Sequence, residues 1–140
     1  MRFVGMLHER GVPLGAGTDA PLEGMMPGMS LWRELALLAD SGLGAAGALR
    51  SATSVAAKLL GLPDIGGLRP GSRADLVVVR GDPTASLPRD PDIRLVVRDG
   101  IEHTPEQMRA NCAGADSMPE ADPIGKAISD RVRAAKSAGG

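Results

Sequence analysis

The residue whose type and setting could most directly do chemistry is Asp19. It lies near the end of the run GVPLGAGTDAP, residues 11–21, in which small and apolar residues are bounded by Gly and Pro. Such a run predicts a tightly packed parallel strand over 12–17. Thr18 and Asp19 then stand at the strand's C-terminal tip, the end where α/β barrels carry their active sites. A carboxylate there can hold a cation, or accept and return a proton. It can equally cap the following loop, a common use of Asp at strand ends. The residues alone leave both readings open.

Few other groups compete with it. The histidines are His8, which falls within a helical pattern and reads as solvated, and His103, which falls beyond the predicted strands and reads as exposed. Cys112 is a lone thiol with no base in sequence reach. No His-x-His, Cys-x-x-Cys or carboxylate cluster has metal-ligand spacing. Gly15 and Gly17 lack the rest of a phosphate-binding motif and read as packing glycines. Glu34 reads as ion-paired or solvent-facing. Asp75 reads as the residue that fixes a turn where a strand begins.

The elements that must position Asp19 follow from periodicity. Phe3 to Glu9 has Val4, Leu7 and His8 at helical spacing, with Gly11 as C-cap. After the loop containing Gly24, Pro27 and Gly28, Ser30 is the expected N-cap of a helix carrying Leu31, Leu35 and Leu38 to about Asp40, where Gly42 ends it. A second helix is predicted from about Ala45 to Leu60. Its narrow stripe of Ala45, Leu49, Ala52, Ala56 and Leu59/Leu60 lets a neighbour approach closely. Gly61 caps it and Pro63 blocks its continuation.

The period then changes. Gly66, Gly67, Pro70 and Gly71 mark turns, and strands are predicted over Asp75–Arg80 and Ile93–Arg98. Asp99-Gly100 is the favoured two-residue hairpin turn, with Ile101 starting the return strand. Pro105 to about Ala113 reads as a short helix. Pro123 to Lys136 has Ile124, Ala127, Ile128 and Val132 at helical spacing, and residues 137–140 are expected to be disordered.

Composition narrows the function classes. The chain has 140 residues, 43% of them hydrophobic, enough for one domain of ordinary size. Sixteen basic residues balance 17 acidic ones, for a net charge of -1, which argues against a nucleic-acid or anionic-membrane partner. No apolar run is long enough to span a bilayer, and the first residues lack a secretory h-region. A single cysteine fits a reducing compartment, so the expected location is cytoplasmic. Phe3 and Trp32 are the only aromatic side chains besides histidine, so the core must be built from Leu, Val, Ile, Ala and Met.

The motifs resemble a known family in their order. GVPLGAGTDAP, then SLWRELALLADSGLGAAGALRSATSVAAKLLGL, then DIGGLRPGSRADLVVVRGDP resemble the C-terminal part of a metal-dependent amidohydrolase. The resemblance runs over residues 2 to 100 and is nearest to the imidazolonepropionase-like and prolidase-like group. It implies an α/β fold: strand 8 and the following helices of a TIM-type (β/α)₈ barrel in residues 1–62. Part of a small β-sandwich then falls in 63–102, and a polar, largely disordered or weakly helical tail in 103–140. It implies that Asp19 is the terminal-strand aspartate, both metal ligand and proton shuttle. The implied reaction is hydrolysis of a carbon–nitrogen bond in a cyclic or N-acyl amide by water activated on a divalent metal, Zn²⁺ foremost. Met25, Met26 and Met29 would then border the site, either lining an apolar substrate pocket or packing a loop.

The resemblance also implies ligands that the chain does not hold, since the family's His-x-His pair, bridging Lys or Glu and further histidines all lie upstream of the terminal strand. A barrel of this kind takes about 250 residues. The expectation is therefore a fragment, the last fifth to third of an enzyme, inactive alone and binding no metal tightly. Its expected partners are a small-molecule amide in the complete enzyme and either an N-terminal half or a second copy. Two rivals stand beside it: a non-catalytic remnant or half of a split enzyme, and an unrelated small α/β binding module.

Overall fold

A computed structural model describes residues 2–20 and 28–113. The expected helix over Pro123–Lys136, the disordered end, Met25 and Met26 lie outside the described residues.

The first helix, α1 (Arg2–Glu9), ends where Gly11 predicts. Gly11 takes φ 75°. Its N–H donates to the His8 carbonyl at 2.9 Å, and the Val12 N–H donates to the Leu7 carbonyl at 3.0 Å. These two bonds make a Schellman cap, which uses carbonyls the helix would leave free. Helix α2 (Met29–Leu38) runs into a wide π-type turn, Ala39–Leu43. Gly42, at φ 109°, breaks the helical path there, as its sequence position suggests. Ser30 is not the N-cap. That position belongs to Gly28, at φ 86°, and Ser30 lies inside the first turn of α2.

The long second helix is two helices, α3 (Gly44–Ala52) and α4 (Ser54–Leu59), broken at Thr53. The cause is a competition for one carbonyl. Ser51 O accepts the Ala16 N–H at 2.9 Å, a bond from outside the helix. Thr53 reinforces the break, because its hydroxyl donates back to the Leu49 carbonyl at 2.8 Å. Helix α4 ends in a second Schellman cap, with Gly61 N–H to Lys58 O at 3.2 Å and Leu62 N–H to Ala57 O at 2.9 Å.

The core is small and lies among these helices. Leu35, Leu38 and Ala48 are buried together, with Val4, Trp32, Leu49 and Leu87 packed around them. Ser51, Ala57 and Leu62 are also buried. The anticipated stripe is therefore rotated, since Leu59 and Leu60 remain 52% and 43% exposed.

The second half forms a three-stranded antiparallel sheet in the order β1 (Leu76–Val79), β2 (Ile93–Arg98), β3 (Ile101–His103). Leu76 pairs with Val97 and Arg98 with Ile101. Asp99 and Gly100 take φ 49° and 81°, both positive as a type I′ hairpin turn requires. The described residues hold this one sheet. His103 is not beyond the strands: it is half-buried in β3, paired with Val96.

Thr104 opens α5 (Pro105–Ala113) with a capping box. The Gln107 N–H donates to Thr104 Oγ1 at 3.2 Å, and the Thr104 N–H donates to Gln107 Oε1 at 2.8 Å. Cys112 lies on this helix. Among the described residues no helix is long and apolar enough to cross a membrane.

Candidate active site

Residues 12–20 belong to no helix and no sheet ladder, so the predicted strand over 12–17 is not observed as a strand. The physical reason is that a strand is defined by paired neighbours, and no described strand lies beside this segment. Two contacts fix its path. The Ala16 N–H is held by the Ser51 carbonyl at the end of α3. Gly15 passes so near α4 that a Cβ there would lie 3.3 Å from Leu59 Cδ1, which supports its reading as a packing glycine. Gly17 is different: nothing lies within 4 Å of where its Cβ would stand, so packing does not require it.

Asp19 follows three residues after the Ala16 anchor, with φ 54°. Left-handed backbone is uncommon for any residue but Gly, and Asp and Asn tolerate it best. Thr18 Oγ1 accepts the Ala20 N–H at 3.3 Å, which tightens the turn around Asp19. Asp19 itself is exposed. Among the described residues its carboxylate has no hydrogen-bond or ion-pair partner. No described group competes for its oxygens.

The other candidates do not gather around it. His8 is exposed on α1 as anticipated. Met29 opens α2 and is 71% exposed. Glu34 is half-buried and forms no ion pair among the described residues. Among the described residues, no group of three or more His, Cys, Asp or Glu side chains could hold a metal ion. The donor set fits one carboxylate ligand at most, below the three protein ligands of a catalytic zinc.

Asp75 holds structure together. Its Oδ1 accepts the Asp99 N–H at 2.8 Å, and its Oδ2 accepts from Arg73 Nε at 2.6 Å. Arg73 Nε also lies 3.4 Å from Asp99 Oδ1. The start of β1 is thus tied to the β2–β3 turn. The Asp99 N–H, opposed by partial burial and seconded by Arg73, holds the Asp75 carboxyl below the ordinary carboxylate range. Asp82 is lowered too, by the Thr84 hydroxyl and then the Thr84 N–H, in a turn after β1.

The contact that sequence reasoning missed is the Ser51 carbonyl beneath Ala16. A backbone acceptor carries no residue signature, so only the small-residue character of both segments hints that they meet.

The chain belongs to the amidohydrolase family, whose pattern it matches over residues 1–105. Among solved structures it is similar to a Xaa-Pro dipeptidase with bound methionine in its active site, at 31% identity and a TM-score of 0.66. That match covers 73% of this chain and 25% of the dipeptidase. An amidohydrolase from Thermotoga maritima MSB8 is similar at 30% identity and a TM-score of 0.61, over 72% of this chain and 25% of that one. The chain thus spans about a quarter of the length of these structures. No curated protein matches it. The family generally uses divalent metals.

Proposed function

We propose that this chain supplies the terminal-strand aspartate of a metal-dependent amidohydrolase, an enzyme that hydrolyses carbon–nitrogen bonds in cyclic or N-acyl amides. The observation that carries this reading is the setting of Asp19. Within the span that matches the family, an exposed carboxylate with no partner among the described residues sits in left-handed backbone, three residues after Ala16 is anchored to α3. Backbone in such sparsely populated regions costs about 1–3 kcal/mol and clusters at functional sites.

In this reading residues 1–62 are the last strand and helices of a barrel, and 63–102 are part of a β-sandwich. The completed enzyme takes a divalent cation, Zn²⁺ first, with Asp19 among its ligands. The donors among the described residues are too few to define that centre, and the part in the reaction assigned here is that of Asp19. What it contributes is a proton acceptor: the Asp19 carboxylate takes the proton from the attacking water and returns it to the leaving nitrogen. Similarity to the 31%-identical dipeptidase makes Xaa-Pro dipeptides and N-acyl amino acids the first substrates to assay.

The donor count favours a second reading, in which the chain alone is a non-catalytic remnant or one half of a split enzyme. One experiment separates the two. The chain is co-expressed with an upstream amidohydrolase segment bearing the metal-binding histidines, then assayed on that substrate panel with and without Zn²⁺. Metal-dependent hydrolysis that Asp19→Asn abolishes supports the enzymatic reading. Hydrolysis that survives Asp19→Asn removes it.

A further inference from the structure

The loop that leaves α4 folds back onto it and bounds a cavity of about 520 Å³. The floor is apolar. Ala57 and Leu62 are buried there, and Ile65 is half-buried. Gly66 sets the path of the loop, because a Cβ in its place would stand 2.7 Å from both Ala57 Cβ and Thr53 O. Two backbone bonds close the loop: Ser72 N–H to Arg69 O at 3.0 Å, and Arg73 N–H to Asp64 O at 2.8 Å.

The rim is cationic. Lys58 from α4 and Arg69 from the loop line the cavity together with Ser54, and no carboxylate lines it. Among the described residues neither cation has an ion-pair partner. The nearby arginines differ in this respect, since Arg73, Arg80 and Arg94 are paired with Asp75 and Asp92. The Arg69 guanidinium also has a fixed seat. Gly67 has no positive φ that would call for glycine. What calls for it is Arg69: a Cβ at Gly67 would stand 3.3 Å from Arg69 Nε and Nη2 and 3.8 Å from Cζ. The guanidinium thus lies against bare backbone, which orients its donors before a ligand arrives.

We propose that this cavity binds a small phosphate monoester with an apolar body. Charge selects the head group. A phosphate monoester carries about -1.5 to -2 near pH 7, which balances Lys58 and Arg69 together. A carboxylate would leave one of the two cations uncompensated. The guanidinium fork offers a bidentate contact to phosphate oxygens, Lys58 supplies a point charge, and the Ser54 hydroxyl can donate. The floor of Ala57, Leu62 and Ile65 takes the apolar body, and the volume lies within the range of about 300–1,000 Å³ usual for small-molecule sites. None of these residues takes part in the proton transfer assigned to Asp19, so either reading can fail without the other.

The test uses the full chain and three defined probes: phenyl phosphate, inorganic phosphate and benzoate. Affinity is measured by titration calorimetry at pH 7.5, and the contact is located from amide and Arg Nε chemical shifts. Phenyl phosphate should bind with a Kd of about 1 mM, moving the Arg69 Nε resonance and the amides of Lys58 and Ile65. Benzoate, with one charge fewer, and inorganic phosphate, without the apolar body, should each bind about tenfold more weakly. Arg69→Gln and Lys58→Gln should each weaken phenyl phosphate about tenfold, with the helical circular dichroism kept. Arg80→Gln removes the same charge from a residue outside the cavity and should leave the affinity within about twofold. Absence of phenyl phosphate binding at about 10 mM overturns the proposal. So does binding that Arg80→Gln weakens as much as Arg69→Gln, because the attraction is then general to the surface. Benzoate or inorganic phosphate binding as tightly as phenyl phosphate overturns it as well.

Discussion

Replacing Asp75 with Ala removes the acceptor that ties the start of β1 to the β2–β3 turn. Two bonds are lost, from the Asp99 N–H at 2.8 Å and from Arg73 Nε at 2.6 Å. Hydrogen bonds to a charged group contribute about 1.5–3 kcal/mol each when well shielded, and surface ion pairs about 0.2–1 kcal/mol. The Asp75 and Arg73 side chains are each 32% exposed, which puts the sum toward the lower ends. The expected loss is about 1–2 kcal/mol, a factor of about 5–30 in a local opening equilibrium. Amide hydrogen exchange at Asp99 reads it directly, because that N–H is the one released. The neighbouring Gly100 N–H, bonded to the Ala74 carbonyl at 3.1 Å, should loosen with it.

The pH dependence has a definite sign. The folded Asp75 carboxyl lies below its ordinary value of 3.8. Its contribution is fully present above the unfolded carboxylate pKa, about 3.9, and is lost as pH falls through the lower folded value. Protection at Asp99, corrected for intrinsic exchange, should therefore fall below about pH 4 in the native chain and stay flat in Asp75→Ala. Exchange at Asp99 within twofold of the native rate in Asp75→Ala would refute the clamp.

Three further outcomes follow from named contacts. Gly66→Ala puts a Cβ 2.7 Å from both Ala57 Cβ and Thr53 O at φ +79°; strain and overpacking together should cost about 2–4 kcal/mol, read as a lowered urea midpoint. Thr104→Ala opens the capping box at α5 and should cost about 1 kcal/mol, read as faster exchange at the Gln107 amide. Ala16→Pro deletes the N–H held by Ser51 O and returns that carbonyl to the Val55 N–H, so Val55 should exchange more slowly, while β1–β3 should not change.

What was legible in the sequence was what local chemistry decides. Gly11 and Gly61 cap their helices because both caps need a left-handed residue, and each is followed by an apolar residue that completes the Schellman bonds. Asp99-Gly100 sets the hairpin because a type I′ turn needs two positive φ values. The capping box at Thr104-Pro105-Glu106-Gln107 was equally local and could have been read from its residue types. What was not legible depends on distant partners. The 12–17 run has a strand's composition, but a ladder needs neighbours that no described residue provides. The break at Thr53 depends on a carbonyl captured from far earlier in the chain, since Ala16 reaches Ser51. Gly28 displaced Ser30 as N-cap because the left-handed entry into α2 needs a residue without a Cβ. At the site, the residue type and strand-tip setting of Asp19 pointed to chemistry. Its left-handed backbone and its anchor on α3 came only from the three-dimensional arrangement.

The central proposal is that Asp19 moves a proton in a completed amidohydrolase, and one measurement tests it most directly. Steady-state kinetics of Asp19→Asn and Asp75→Asn are compared side by side in the enzyme assembled with its upstream segment, at saturating metal. Asn is nearly isosteric with Asp and keeps an oxygen, but it cannot accept the proton. Loss of a general base costs about 10²–10⁴-fold in rate, so Asp19→Asn should lower kcat by that range with a much smaller change in KM. Asp75→Asn should leave kcat within about twofold, since its clamp lies in the sheet. An Asp19→Asn enzyme that keeps more than about a tenth of the native kcat, above what loss of a base allows, would contradict the assignment and make Asp19 a turn residue.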